Sequence, residues 1–288
     1  MSAIQQMLLG NGGASSFGLD GYVTNLWGAF SISKLLSSYG GDALTAVNTN
    51  TAASAGIGFS GSSLDTAALA TLSGGTDTCV VSEYLNQEGT SARKFTATGT
   101  TRPRIVNSGV YDGKLVFDGT NDAMVGGANS GTPTAFTIFI RGLLRTTGTQ
   151  IILEHSTNFN SSDSAVAYYD SGSLSVGNHK TAGAGGYYRS DFAGVYPNNN
   201  VQAWRLDRDV VLGGAAGAAC FVNGALQTRT ANGDVNTMGG NYAADIWYLA
   251  ARAGTSLPSP LDLHTILIYE SALSDADVTA ISAILLAL

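Results

Sequence analysis

The sequence predicts an all-β sandwich of short strands joined by tight turns. Charged residues make up only 12% of the 288 residues, and glycine occurs 37 times, which suits closely spaced turns. Hydrophobic residues reach 44%, which is enough for a real core and argues against disorder. Segments near the carboxyl end are apolar on both faces, as expected of strands inside a sandwich. The pair Asn223-Gly224 stands between apolar runs and predicts a β-hairpin.

The closing segment, residues 245–284, is the part around which the rest of the chain is organised. Residues 246–251 are apolar enough for a buried strand, and two prolines make the following stretch a loop. Ser274 is placed to cap a short C-terminal helix that has Asp275 and Asp277 in its first turn. The strand between loop and helix is expected to alternate, with one set of residues sharing a face. That set is Leu261, Leu263, Thr265, Leu267 and Tyr269, and the opposite set is Asp262, His264, Ile266 and Ile268.

The other elements follow from the same periodicities. Residues 64–72 form the best early helix, apolar at every third or fourth position with Asp65 in the first turn. Strands are predicted wherever residues alternate or form a short apolar run. They are 29–33, 79–85, 136–143, 150–155, 203–212 and the hairpin 218–226.

Charge and apolar run lengths exclude two classes of function. The formal net charge is −7, and no run of Lys or Arg provides a basic face for nucleic acid. No apolar run approaches the about 20 residues that a membrane helix needs, and the N-terminus lacks the positive region of a signal peptide. We therefore expect a protein made in a cytoplasm, without membrane insertion. Cys79 and Cys220 lie in apolar, strand-like runs, which predicts buried free thiols rather than a disulfide.

The chain divides into an N-terminal arm and linker, 1–20, and one large domain, 21–288. Residues 4–9 form a short amphipathic piece, and the glycine and serine run at 10–16 has the composition of a flexible linker. Such an arm can dock on its own domain or on a neighbouring subunit, and the sequence leaves both open.

Three runs together indicate a particular sandwich. They read K-L-V-F-D-G-T-N-D-A-M-V at 114–125, V-N-G at 222–224 and I-Y-E-S-A-L-S-D-A-D-V at 268–278. Their content and order resemble laminin-G-like, concanavalin A-like jelly rolls. The resemblance implies a concanavalin A-like (laminin-G-like) jelly-roll sandwich with short helices and an N-terminal arm. It says little about function, because unrelated activities occur on this fold.

A second set of runs lies in the front of the domain. They are A-F-S at 29–31, L-L-S-S-Y-G-G at 35–41, I-G-F at 57–59, L-D-T-A-A-L at 64–69 and R-P-R-I-V-N-S-G at 102–109. This front resembles that of the catalytic domain of fungal-type α-L-arabinofuranosidases, and that of phage-encoded proteins that share it. The family's Y-D-Q-S-G-N-G turn is replaced here by Y-L-N-Q-E-G-T at 84–90, so whatever that turn does in the family is not carried over.

The same resemblance sets a test for catalysis. Glycosidases use a pair of carboxyl groups, about 5–5.5 Å apart in retaining enzymes and farther apart in inverting ones. The family supplies a glutamate after a central strand and an aspartate in a glycine-rich turn after a late strand. Glu154 lies near the first place, but residues 248–254 at the second place contain no acid. The nearest acids are Asp245 and Asp262 on either side. We therefore expect no catalytic residues and a protein that is not an enzyme.

No metal or cofactor site is predicted. His155, His179 and His264 are far apart in sequence and make no metal-ligand spacing, and there is no P-loop or nucleophile elbow. The acids of the Asp118-Gly119 and Asn121-Asp122 turn are expected to bond backbone amides, with a metal site as the alternative.

A sugar-binding surface is the second hypothesis for function. Tyr187, Tyr188, Tyr196 and Trp204 could form an aromatic platform, and the loop 158–163 could add oxygen ligands, although it lacks a calcium-loop spacing. The same tyrosines could instead cover the sandwich edge or an intersubunit face.

These features lead to three ordered hypotheses. The first is a non-enzymatic bacteriophage virion structural protein, a capsid decoration, fibre or tail component. It would be made in the host cytoplasm, form a homo-oligomer and contact other virion proteins such as capsid or tail. The second is a virion lectin that binds host surface polysaccharide, and the third is an active arabinofuranoside hydrolase.

Overall fold

A computed structural model describes residues 18–90, 92–129, 131–146, 148–157, 163–170, 172–179, 187–195, 197–210, 218–232 and 239–288. It confirms the all-β sandwich, in which strands dominate and two short α-helices occur among the described residues. Of the predicted arm and linker, only residues 18–20 lie within these ranges. In the part of the chain described, neither helix is long and apolar enough to cross a membrane.

The first layer is an antiparallel sheet that contains Glu154. From edge to edge its strands are β19 (Ala231–Asn232), β15 (Tyr187–Ala193), β14 (Ser173–His179), β13 (Ala165–Asp170), β12 (Gln150–His155), β20 (Ile246–Leu249), β10 (Met124–Ala128), β7 (Phe95–Thr96), β6 (Cys79–Tyr84), β2 (Leu44–Asn48) and β3 (Ser54–Ile57).

The second layer packs against the first. Its strands run in the order β18 (Ala225–Leu226), β17 (Ala218–Val222), β16 (Asn198–Asp207), β11 (Ala135–Leu144), β21 (Leu261–Tyr269) and β1 (Leu26–Ser31). Strands β8 (Arg104–Asn107) and β9 (Val110–Val116) join the layers, because β8 pairs with β6 and β9 pairs with β21. A separate hairpin consists of β4 (Phe59–Ser60) and β5 (Ser63–Leu64).

Aromatic rings fill the space between the layers. Trp27 lies 5.8 Å from Trp247 between ring centroids, and Phe136 meets Trp247 edge-on at 5.1 Å. Phe30 and Phe95 also pack edge-on, at 4.9 Å. Such tilted and edge-on contacts stabilise more than the buried area alone. This core fixes the position of β12 and β20, and therefore of the polar groups on their outer sides.

A second apolar cluster covers the other face of the second layer. Helix α2 (Asp275–Leu286) contributes Val278, Ile281 and Leu285, which pack with residues of β1, β11, β16, β17 and β21. Leu19 is buried in the same cluster, and a side chain at Gly18 would meet Ile284 at 2.6 Å. The second layer is therefore buried on both faces, which explains why the centre of β11, residues 138–140, is apolar on both sides.

The alternation predicted for β21 is wrong in one half of the strand. Leu261 and Leu263 lie in the central core, whereas Leu267 lies in the second cluster. The pairing with β11 shifts at His264, since Arg141 pairs with Thr265 and Gly142 pairs with Leu263. One extra residue at a β-bulge inverts the faces beyond it.

Several local predictions are confirmed, with shifts at the ends. Helix α1 (Thr66–Ser73) begins one residue after Asp65, which caps it by accepting hydrogen bonds from Ala67 N and Ala68 N rather than lying in the first turn. Ser274 caps α2 as predicted. The strand predicted at 203–212 lies instead at Asn198–Asp207, because it pairs along the whole of β11.

Two further predictions concern the hairpin and the cysteines. Asn223 and Gly224 both have positive φ, 51° and 82°, as the two central residues of a tight hairpin turn require. Cys79 and Cys220 are both free and buried, as predicted.

Candidate functional site

The site most relevant to catalysis is the side chain of Glu154 on β12. Glu154 is only 1% exposed, and it stands opposite Tyr248 of β20. Its Oε1 accepts a hydrogen bond from the Ser156 hydroxyl, and its Oε2 accepts one from Ala253 N at 2.9 Å. Burial raises the pKa of Glu154, while those two hydrogen bonds and the charge of Arg252 oppose the rise. Both carboxylate oxygens are therefore engaged by the protein.

The loop that supplies this amide is conformationally strained. Ala250, Ala253 and Leu257 all adopt positive φ, at 64°, 47° and 47°, which is costly for residues with a Cβ. Backbone bonds fix the loop, with Ser259 N donating to Ala250 O at 2.7 Å and Ile151 N donating to Leu257 O at 3.3 Å. Strain of this kind persists only where the surroundings impose it, and it clusters at functional sites.

The two other candidate acids differ in their surroundings. Asp262 lies in the second layer and pairs with Lys114 at 2.8 Å and Arg145 at 3.1 Å, so it belongs to an ion-pair network away from β12. Asp245 precedes β20 and accepts a hydrogen bond from the Thr157 hydroxyl at 2.6 Å. Burial, then the charges of Glu154 and Asp245, raises the pKa of Tyr248, so both acids lie near that phenol. The loop facing Glu154 carries Arg252 rather than a second acid.

The two histidines whose side chains the structure describes, His155 and His264, do not form a reactive group, and the side chain of His179 lies outside the described part. His155 is buried in the aromatic core, and its Nε2 lies 3.1 Å from both Asn129 Oδ1 and Asp245 O. Burial lowers the pKa of His155 to about 3 and that of His264 to about 4. Both are therefore neutral near pH 7. Among the described residues no three His, Cys, Asp or Glu side chains are grouped as metal ligands.

The turn after β9 has the backbone-bonding role that its sequence predicted. Asp118 Oδ1 accepts hydrogen bonds from Thr120 N at 2.7 Å and Asn121 N at 3.2 Å. Asp122 Oδ2 in turn accepts one from Asp118 N at 2.8 Å. These carboxylates order the turn.

The burial of Trp204 contradicts its predicted place in an aromatic platform. Trp204 is fully buried in the core, so it offers no surface to a ligand. Tyr187 and Tyr188 pair with His179 and Asn178 at one end of β15. Tyr196 and most of the loop 158–163 lie outside the described residues; Asp163 forms an ion pair with buried Arg208 at 2.6 Å.

An open pocket that sequence reasoning missed lies at the front of the domain. Its volume is about 460 Å³, and it is lined by Lys34, Tyr39, Gly40, Gly41, Phe59, Gly61 and Ser62. The rings of Tyr39 and Phe59 meet edge-on with centroids 6.4 Å apart. The sequence does contain a pattern that could have indicated this pocket. Two aromatic residues stand beside glycines less than 25 residues apart, at 39–41 and 58–61.

Comparison with known proteins shows the fold. No protein-family model and no curated protein matches the sequence. Among solved structures, a mutant of GH54 α-L-arabinofuranosidase soaked with 4-nitrophenyl α-L-arabinofuranoside superposes with a TM-score of 0.63 at 12% identity, covering 94% of this chain. An arabinofuranosidase complexed with arabinofuranosyl-α-1,2-xylobiose gives the same TM-score and identity over 94% of this chain and 64% of its own. The carbohydrate-binding module CBM40 of the Ruminococcus gnavus IT-sialidase has a TM-score of 0.40 at 18% identity, over 52% of this chain and 83% of its own.

These similarities concern the fold of the chain. The chain spans 65% of the length of the first arabinofuranosidase structure. At 12% identity the likeness shows a shared all-β architecture and carries no information on activity. The chain therefore has an all-β sandwich of this architecture.

Proposed function

We propose that the chain is a non-enzymatic structural protein of a bacteriophage virion, which assembles with itself and with other virion proteins. The observation that carries the non-enzymatic part is the state of Glu154. Its two carboxylate oxygens are held by Ser156 and Ala253, and Arg252 stands in the facing loop where the resembling hydrolases place an acid. A two-carboxylate mechanism needs a second acid, and that loop does not supply one.

The virion part of the proposal has separate support. The runs at 29–109 resemble phage-encoded proteins as well as the hydrolases, and the predicted arm suits a role in linking subunits. A symmetric assembly repeats any such contact on every copy, so one short apolar segment can hold many subunits together.

Two measurements test the two parts. The full chain is incubated with an aryl α-L-arabinofuranoside, beside Glu154→Gln and Asp245→Asn. We expect no turnover above buffer in any of the three, whereas turnover by the natural chain that is lost in Glu154→Gln overturns the non-enzymatic part. Gold-labelled antibody against the chain, imaged on purified phage particles, is expected to mark a fixed part of the virion. Label found only in the unassembled fraction of a lysate overturns the virion part.

A further inference from the structure

The pocket between Tyr39 and Phe59 lies where the two apolar clusters reach the surface. Phe59 packs against the central core, whereas Tyr39 packs against the cluster under α2. Both residues are half-buried, and both line the pocket. A surface site built from rings of two separate clusters is held on both sides by packed structure.

Backbone hydrogen bonds fix the walls of this pocket. Lys34 N donates to Ser62 O at 2.8 Å, and Ser33 forms a bridge with Ser63, so the β4–β5 hairpin is tied to the segment after β1. On the other side the Tyr39 hydroxyl donates to Asp42 O at 2.6 Å, which sets the plane of the ring. The pocket therefore exists before any ligand arrives, and little ordering free energy is lost on binding.

Glycines create the open volume. At Gly40 and Gly61 a Cβ atom would meet nothing within 4 Å, so the space beside them is empty. At Gly41 a Cβ would approach the Tyr39 hydroxyl to 2.7 Å, so a side chain there would displace the ring. The chain thus keeps side chains out of the space between its two aromatic rings.

We propose that this pocket binds one or two residues of a neutral saccharide. Aromatic faces suit the C–H face of a sugar ring, while the Ser62 hydroxyl and the glycine backbone offer hydrogen bonds to sugar hydroxyls. The volume of about 460 Å³ falls within the usual range for small-ligand sites. No carboxylate lines the pocket, so the site binds without cleaving, and the net charge of −7 disfavours a polyanion.

The test uses the full chain and ligand-observed NMR. The probes are the methyl glycosides of glucose, galactose, mannose, rhamnose and N-acetylglucosamine at millimolar concentration. A synthetic peptide of residues 1–17 is also used, to test whether the pocket binds the N-terminal segment of the chain instead of a sugar. We expect saturation transfer from the protein to at least one glycoside. Gly40→Trp fills the empty space and is expected to weaken that binding by at least about tenfold.

Matched variants separate loss of the site from loss of the fold. Gly131→Trp places the same side chain at another exposed glycine with open space, and it is expected to bind like the natural chain. Tyr39→Leu removes one of the two rings and is expected to lose binding. All three variants should melt cooperatively. The proposal is overturned if no glycoside binds, if Gly40→Trp binds normally, or if only the peptide binds and Gly40→Trp blocks it.

Discussion

The backbone amide of Ala253 donates to Oε2 of Glu154 across 2.9 Å, joining a strained loop to a buried acid. Each partner explains the other. Ala253 tolerates φ 47° because its N–H gains a charged acceptor, and Glu154 tolerates burial because both oxygens are bonded. The pair therefore ties β12 to the loop that follows β20.

The first prediction concerns how much the two hydrogen bonds to Glu154 contribute to stability. Glutamine at 154 can accept from Ala253 N and donate to the Ser156 hydroxyl, so Glu154→Gln should melt within a few degrees of the natural chain. Glu154→Met leaves the amide and the hydroxyl without an acceptor and should cost about 1–3 kcal/mol of unfolding free energy. Urea denaturation measures both. Glu88→Met, at an exposed glutamate, is the control and should change little. Equal losses in the Gln and Met variants would contradict the hydrogen-bond argument.

The second prediction uses the two acids of the turn after β9. Burial, and then the charge of Asp118, raises the pKa of Asp122 to about 6, against the hydrogen bond from Asp118 N and the charges of Arg104 and Arg145. The folded state then holds this proton more tightly than the unfolded chain does, so unfolding free energy falls as pH rises from about 4 to about 6. Asp122→Asn should be more stable than the natural chain at pH 8, and the difference should shrink towards pH 4.

Asp118 should show the opposite dependence. Burial acts to raise its pKa, but hydrogen bonds from the amides of Thr120, Asn121 and Asp122 lower it overall. Its stabilisation is present above the ordinary aspartate pKa and is lost as pH falls through the lowered value. Asp118→Asn should therefore be less stable than the natural chain at pH 7, with a gap that closes in acid. Thermal unfolding followed at a series of pH values measures both variants. A variant whose stability runs parallel to that of the natural chain at every pH would refute the pKa shift described for that aspartate.

The third prediction concerns the core strand of the closing segment. Trp247 is 1% exposed and contacts the rings of Trp27, Phe136 and His155. Trp247→Ala should cost about 3–5 kcal/mol. Trp247→Phe should cost clearly less, because the indole N–H has no hydrogen-bond partner among the described residues. Val110→Ala, at a 69% exposed side chain, is the control. A Trp247→Ala protein that unfolds like the natural chain would contradict the packing described for β20.

Sequence reasoning succeeded where the signal is local and failed where it depends on pairing. The cap at Ser274 and the turn at Asn223 are short-range chemistry, so their positions followed from the residues themselves, whereas Asp65 was expected in the first turn and lies at the cap. The bulge at His264 leaves no local mark, because it arises from register with β11. Trp204 illustrates the same limit, since a tryptophan beside polar residues can face the core or the solvent and only the sheet decides.

The candidate site shows this difference again. The sequence identified Glu154 and the missing acid at 248–254, but the bond from Ala253 required the fold of the loop. The pocket beside Tyr39 was missed because its residues come from two segments that only the β4–β5 hairpin brings together.

The last prediction concerns the N-terminal arm, and it rests on the proposed virion role. Ile4, Met7, Leu8 and Leu9 precede a glycine and serine linker, and burying each such side chain stabilises by about 1.5–3 kcal/mol before entropy is subtracted. The domain already has a closed core and a second cluster that includes Leu19, so it gains little from four more apolar residues. In an assembly, however, the same segment can join each subunit to its neighbour or to the shell.

Deleting residues 2–13 should therefore leave a soluble domain with a nearly unchanged melting temperature but abolish incorporation into particles, as measured by mass spectrometry of purified virions. A scrambled arm of the same composition is the control and should also fail to incorporate. Full incorporation of the deleted chain would show that the arm is not the anchor, and failure of the deleted chain to fold would place the arm within the domain.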